Sequence, residues 1–482
     1  MTSSDSRLDP ALIRLAIIVL FGAVVAQLDL TMVNVGIDVM ARDLHASLGT
    51  IQWVSTGYLL AYAIVLPISG WATDRFGARN LWLFALSLFL LGSVLCGIAW
   101  SSGSLVAFRV VQGLGGGLLI PLMTTILARA AGPQRMMRLM AIVAVPAMLA
   151  PILGPVIGGV LVDQASWRWI FLVNVPICLL GLVLAWRELP VVPRQRHDAL
   201  DGLGLALLSP GLAVLLYGCS RASTHGGFGE TTVLVCLAVG AVLLAAFTVH
   251  VLRRRQAPLI DLRLFRSGPF TGSAALMFLF GFTLFGAMLL LPLYYQQVRG
   301  ASALEAGLML APQGAGTMLA LVLVGRNVER VGARTAVLIG VGLTIVGTVP
   351  FALVDAHTSD LLLAVALFVR GAGLGAALVP VLGTSYHGLR EEQYAGATTA
   401  VRIFQQIGGS IGTALLVVIL QHQTAAHAPG VDGLAASFGD AFAWTLGLSV
   451  LAFLPALLLP GRERAAAAGA VVAPAATGPE GP

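Results

Sequence analysis

Fourteen long apolar stretches, broken by short polar segments, organise this chain. They run near 14–38, 50–73, 80–99, 104–129, 139–162, 169–187, 202–219, 231–252, 268–294, 305–325, 335–354, 361–387, 397–421 and 440–460. Each is apolar throughout rather than at alternate positions, so the transmembrane β-barrel pattern is excluded and helices are predicted. About 20 apolar residues in a helix cross a hydrocarbon layer roughly 30 Å thick. The expected fold class is therefore an all-α integral membrane protein with fourteen transmembrane spans.

Composition supports lipid as the solvent. Of 482 residues, 58% are hydrophobic and 10% charged, with a mean hydropathy of +0.91. Soluble domains carry about a quarter charged residues. The first stretch is too long for a signal-peptide core, contains Asp29 and lacks a small-residue cleavage pattern, so it is expected to be a retained span.

All 28 basic residues are arginines. With the N-terminus inside, 21 of them fall in cytoplasmic segments and only Arg42, Arg168, Arg221 and Arg299 in outer loops. The positive-inside rule then places both termini in the cytoplasm of a bacterial cell, with the chain in its inner membrane. The same distribution argues against nucleic acid as a partner, despite a pI near 9.5. Cys96, Cys178, Cys219 and Cys236 lie inside apolar runs without metal-ligand spacing, and the histidines are scattered. Buried thiols and no metal site are expected; a Cys219–Cys236 disulfide across an outer loop stays open.

An internal repeat sets the domain organisation. Gly70, Asp74, Arg75, Gly77, Ala78 and Arg79 after span 2 recur as Gly325, Glu329, Arg330, Gly332, Ala333 and Arg334 after span 10, at a constant offset of 255 residues. Eight spans separate the copies, whereas two six-span halves in direct succession would leave six. The predicted architecture is a six-helix bundle over 1–190, two inserted helices over 191–260, a second six-helix bundle over 261–460 and a disordered cytoplasmic tail over 461–482. Parallel halves related by an axis along the membrane normal are a transporter design. The repeated loop reads either as a positive-inside turn or as a conformational latch between rocking halves. The inserted pair, lacking intramembrane charge, is expected to line no part of a central path.

Charges inside the spans mark candidate chemistry, because an unpaired charge in lipid costs several kcal/mol. Asp29 in span 1 and Arg109 in span 4 lie at similar depth and are the candidate proton-coupling pair. Their structural alternatives are a hydrogen-bonding acid and an arginine snorkelling to the outer interface. Asp29 is the only carboxylate well inside a span. Arg370 and Arg402, with Gln27, Asn34, Gln405 and Gln406, either line a substrate cavity or hydrogen-bond between helices. These positive residues favour neutral or weakly acidic substrates over dications. Gly154, Gly158 and Gly159, with Pro155, make span 5 either a closely packed helix or a bent hinge against the opposite half.

The loop at Gly70–Arg79 resembles the signature loop of the major facilitator superfamily. Three further stretches resemble the fourteen-span drug/proton antiporters within it: Leu28, Asp29, Thr31, Asn34 and Gly36 in span 1; Phe108, Arg109, Gln112, Gly113, Gly115 and Pro121 in span 4; and Pro151, Gly154, Pro155, Gly158 and Gly159 in span 5. Trp167, Arg168, Trp169, Asn174 and Pro176 are similar to the family's sequence at the start of span 6. Gly36-Ile37-Asp38 departs from the usual Ala-Leu-Pro, which bears on the bend at the end of span 1 and not on the acid. The resemblance covers nearly the whole chain to about 460.

That resemblance implies a major facilitator fold and a proton-coupled antiporter exporting amphipathic drugs or related small molecules by alternating access. Arg109 would be the proton-linked arginine, and the Gly154–Gly159 stretch the antiporter motif. It implies the proton as coupling ion, no other cofactor, and a carrier working as a monomer in the bilayer; a periplasmic adaptor is not indicated. A dedicated exporter of one endogenous metabolite or self-made antibiotic is the alternative within transporters. An enzyme would need a clustered nucleophile, base or metal set, which is not visible, and no nucleotide-binding P-loop occurs. A sensor without transport remains the other non-carrier reading.

Overall fold

A computed structural model describes residues 9–461 except 52, 191–199, 225–226, 254–259 and 391–392, and leaves some helical side chains undescribed, chiefly within 132–163 and 325–330. The predicted tail therefore lies outside the described residues. Every described element is a helix. Among the described residues, 13 helices are long and apolar enough to cross a membrane.

The fourteenth predicted span, 139–162, is the second part of one helical assignment, Ser102–Gln164. A loop at 130–138 was expected; instead the backbone stays helical. It cannot be straight. Arg109 and Gly154 would be nearly 70 Å apart along a straight helix, yet Arg109 bonds Asp29 and Gly154 presses on Thr31, two residues away in span 1. The chain doubles back within this segment, so spans 4 and 5 form a hairpin against span 1.

Span 1 (Pro10–Asp43) runs past its expected end at 38. It starts at Asp9, whose carboxylate accepts from the Ala11 N–H at 3.0 Å, the usual N-cap device, followed by Pro10 at the first position. Span 2 is Trp53–Val65 and Ser69–Phe76 joined by a 3-10 turn at Leu66–Ile68. Pro67 supplies the break, having no N–H for the helical ladder. Gly77, at φ +85°, separates span 2 from span 3 (Ala78–Gly97), and Gly332, at φ +83°, separates span 10 (Ala303–Met309 with Ala311–Val331) from span 11 (Ala333–Ala352). That left-handed backbone is open to glycine at little cost, which explains why both copies of the loop carry it.

The repeat extends into packing. A Cβ on Gly113 would lie 2.5 Å from the Tyr58 carbonyl, and one on Gly371 of span 12 (Asp360–Thr384) 2.0 Å from the Gln313 carbonyl. Likewise Gly92 touches the Cα of Gln112 and Gly347 that of Arg370. These paired contacts align Tyr58 with Gln313, Gln112 with Arg370, and hence Arg109 with Leu367. In the same way Gly158 abuts Met32 while Gly412 of span 13 (Tyr394–Ala426) abuts Phe282 of span 9 (Gly268–Gln297). Asp29 thereby aligns with Leu279. The two halves share a backbone plan but not the acid–arginine pair.

At the end carrying the arginine-rich loops the halves are closed. Leu122, Ile126 and Leu127 of span 4 belong to one buried apolar cluster with Tyr386, Tyr394, Ala397 and Val401 of the second half. Ser69 and Thr399 hydroxyls meet across the halves at 2.9 Å. Towards the opposite end each half has its own cluster, around Met32, Cys96 and Phe171 in the first and Leu290, Phe351 and Phe438 in the second.

The inserted pair, span 7 (Gly202–Thr224) and span 8 (Thr231–Arg253), forms a hairpin. Span 7 touches both span 2 and span 13. Ser209 donates to the Ile64 carbonyl at 2.7 Å, and Tyr217 stacks on Trp53 at 5.7 Å. Cys236 packs against Gly218 within the hairpin, and Cys219 and Cys236 are free thiols. The tryptophans Trp53, Trp100, Trp169, Trp186 and Trp444 are exposed, as an interfacial and lipid-facing belt requires.

Candidate functional site

The acid predicted in span 1 and the arginine predicted in span 4 are in contact. Arg109 Nη1 donates to Asp29 Oδ2 at 2.5 Å, and both side chains are buried, at 1% and 0% exposure. The second carboxylate oxygen, Oδ1, accepts from Gln112 Nε2 at 2.9 Å and from Asn174 Nδ2 at 3.0 Å. Gln112 also donates to Ser93 Oγ at 2.8 Å and accepts from Arg109 at 2.6 Å. Arg109 Nε donates to the Val54 carbonyl at 3.1 Å, and its guanidinium lies 4.2 Å from the centre of the Tyr58 ring. Five spans, 1, 2, 3, 4 and 6, thus converge on one carboxylate.

This arrangement answers the cost of burying charge. Either ion alone would face a penalty of several kcal/mol, which only close pairing and complete hydrogen bonding offset. Snorkelling is excluded for Arg109: its head is held inward by three polar partners, Asp29, Gln112 and the Val54 carbonyl. Two buried groups beside the pair keep spare capacity, for Asn174 Oδ1 and the Tyr58 hydroxyl have no hydrogen-bond partner.

Gln112, Asn174, Ser93 and Tyr58 were not singled out for this site from sequence. Gln112 and Asn174 fall in the stretches that carry the family resemblance, and are amides within apolar spans at depths matching Asp29. That depth match was the available signal.

The loop residues hold the first bundle together at its arginine-rich end. Asp74 pairs with Arg129 of span 4, and Arg79 donates to the Trp186 carbonyl at the end of span 6. Both ties lie within one half. Arg75 is exposed, Gly70 is buried, and Arg334 is partly exposed. The side chains of Glu329 and Arg330 lie outside the described residues. Contact between halves comes instead from Ser69, next to Gly70.

In span 5, Gly154 and Gly158 press on span 1 of their own half, with Gly154 against Thr31 and Gly158 against Met32, while Gly159 meets open space. The expected packing against the opposite half is thus replaced, for these two, by packing inside the first bundle, because the hairpin returns span 5 along span 1. The Pro155 side chain is outside the described residues, as is that of Asn34.

The remaining candidates separate. Arg370 is buried at 2% exposure and donates to Gln313 Oε1 at 2.8 Å and the Thr283 carbonyl at 3.2 Å. Arg402 donates to Gln405 Oε1 at 2.9 Å, and its Nε is buried without a partner. Gln405 is buried and Gln406 half-buried, whereas Gln27 is half-buried and contributes its carbonyl to Thr31. Glu305 caps span 10, accepting from the Ser302 N–H at 2.8 Å.

A repeated pair of helical bundles in an apolar solvent, with one buried acid–arginine pair between the helices of the first, defines a polytopic membrane transporter. The model of the Major Facilitator Superfamily matches residues 19–413. The chain belongs to that superfamily. It is 42% identical over 426 residues to a multidrug resistance protein B homolog of Mycobacterium tuberculosis, covering 87% of this chain and 78% of that one. It is 31% identical to the multidrug export protein EmrB of Haemophilus influenzae, covering 86% and 82% of the two chains. A putative multidrug resistance protein MdtD of Pectobacterium carotovorum is 30% identical, with 92% and 94% covered. Among solved structures, the fold is similar to the human organic anion transporter MFSD10 at a TM-score of 0.66 and 17% identity, over 93% of this chain and all of that one. It is also similar to the proton:xylose symporter XylE at 0.62 and 15% identity, over 92% and 94% of the two chains.

Proposed function

We propose that this chain exports amphipathic small molecules, drugs among them, in exchange for protons. It would sit in the bacterial cytoplasmic membrane with both termini inside. The observation that carries the reading is Asp29, a fully buried carboxylate held by Arg109, Gln112 and Asn174. The drug-resistance names of the relatives support the substrate class, and the arginine bias of the loops supports the orientation.

In this reading the structure is the state closed to the cytoplasm. Asp29 binds a proton from outside in this state, Arg109 keeps its bonds to Gln112 and the Val54 carbonyl as it releases the carboxyl, and Asn174 Oδ1 accepts the new O–H. Return to the opposite state releases the proton inside. One proton crossing 100 mV supplies about 2.3 kcal/mol, enough to concentrate a neutral compound about fiftyfold.

The test is accumulation of an amphipathic dye by everted membrane vesicles energised by respiration. Uptake above the level of vesicles lacking the protein, abolished by a protonophore, is expected. Uptake indifferent to the protonophore would overturn proton coupling.

A further inference from the structure

We infer that Arg402 is the anchor for the acidic group of the substrate, and that the favoured cargo is an amphipathic carboxylate. The inference rests on the export reading above and deepens it.

The position comes first. Thr399 of span 13 meets Ser69 of span 2 at 2.9 Å and seals the arginine-rich end. Arg402 follows Thr399 by three residues, nearly one turn, so it shares that helix face one step beyond the seal. Tyr62 precedes Ser69 by seven residues, two turns, on the facing side of span 2. Tyr62 of the first half and Tyr386 of the second both lie near enough to interact with the Arg402 charge. The guanidinium therefore sits between the halves, at the floor of whatever space opens away from the seal.

Its chemistry is unfinished. A guanidinium keeps its charge and offers five N–H donors. Arg402 uses one on Gln405 Oε1 at 2.9 Å, and its Nε is buried without an acceptor. No salt bridge joins it to a carboxylate among the described residues. Arg402 is half-buried; the two fully buried arginines differ, for Arg109 has Asp29 and Arg370 donates to two neutral oxygens. A buried charge left uncompensated is costly, and a planar anion with two oxygens matches the free edge of a guanidinium. Tyr62 and Tyr386 are buried in this closed state, and their rings would offer flat apolar surface to the body of such a molecule once the halves part.

The same tyrosines connect this place to the proton site. Tyr62 and Tyr58 have ring centres 6.5 Å apart, and Arg109 lies over Tyr58 at 4.2 Å. Cargo charge at Arg402 and proton occupancy at Asp29 thus act on one short stretch of span 2.

The experiment uses the full chain in lipid nanodiscs and two probes of equal shape, naphthoate and naphthamide, with binding read by equilibrium dialysis. Wild type should bind naphthoate at least about tenfold more tightly than naphthamide, the scale of one charge-assisted pairing. Arg402→Gln should erase that preference and leave naphthamide binding within about twofold, while Arg402→Lys keeps part of the preference. Equal binding of the two probes by wild type, absence of naphthoate binding, or a preference that survives in Arg402→Gln would each overturn the inference. Should Arg402→Gln lose both probes together, Arg402→Lys decides: a retained preference supports the anchor and a lost one refutes it. Everted-vesicle uptake of a neutral dye is measured alongside. Protonophore-sensitive dye uptake without a naphthoate preference sinks only this inference, whereas absent dye uptake sinks the export reading itself.

Discussion

Asp29 and Arg109 are joined at 2.5 Å inside the first bundle, while the aligned positions of the second bundle, Leu279 and Leu367, are both apolar. The proton chemistry of the proposed cycle is thus confined to one half. Asp29→Asn retains shape and hydrogen bonding but cannot titrate, so uphill, protonophore-sensitive export should vanish while downhill exchange persists. Wild-type uphill rates from Asp29→Asn would end the mechanism.

The pair should also behave as a unit in stability. Arg109→Leu leaves the carboxylate buried without its counter-ion and is expected to cost about 3–5 kcal/mol, whereas Asp29→Asn with Arg109→Gln should recover most of it. Thermal unfolding of the solubilised protein reads both. A double variant no more stable than Arg109→Leu would show that the two residues are not energetically coupled.

The Ser69–Thr399 contact predicts a reversible lock. With hydroxyls 2.9 Å apart, cysteines at both positions fall within disulfide reach. Oxidation of Ser69→Cys, Thr399→Cys should stop transport, and a reductant should restore it. Transport undiminished by a bond verified by mass spectrometry would mean that this end does not open.

Close helix crossings predict a contrast between two glycines of the second half. A Cβ on Gly371 would fall 2.0 Å from a backbone carbonyl, which no side-chain rotation relieves, while one on Gly342 meets nothing within 4 Å. Gly371→Ala should lower stability by about 1–3 kcal/mol and Gly342→Ala should be neutral. Equal melting temperatures would refute the crossing.

Asp43, beyond the membrane segment of span 1, makes a pH prediction. A hydrogen bond from Trp167 and then one from Arg168 hold its carboxyl below the ordinary range. A depressed carboxyl contributes stability above its unfolded value of about 3.9 and loses it as pH falls through the folded one. The pair is half exposed, so the contribution is small. Asp43→Asn should therefore leave the pH profile of transport above about 5 unchanged.

Much of this was legible in the sequence because lipid tolerates few polar residues. Continuous apolar runs announced the spans, and Asp29 and Arg109 stood out against them. The repeated Gly77 and Gly332 announced two related halves, and both have the positive φ that explains their recurrence. What stayed hidden depends on contacts between distant segments. The gap between the apolar stretches 104–129 and 139–162 reads as a loop, yet the reversal there is made by helical backbone within Ser102–Gln164. Gln112 and Asn174 are ordinary amides until folding brings them to Asp29. The ties of Asp74 and Arg79 likewise could not be assigned to one half before Arg129 and the Trp186 carbonyl were placed beside them.

Span 7 has a consequence for how lipid meets the carrier. It lies along span 2 and span 13, the seam where Ser69 and Thr399 join the halves. A second seam lies where span 10 packs against the Ser102–Gln164 hairpin, and among the described residues the inserted pair packs on span 2 and span 13 rather than there. The two flanks are therefore unequal: the inserted hairpin covers one seam, and the bilayer borders the other directly. If the proposed export draws compounds from the bilayer, this asymmetry makes the uncovered seam the expected side of entry.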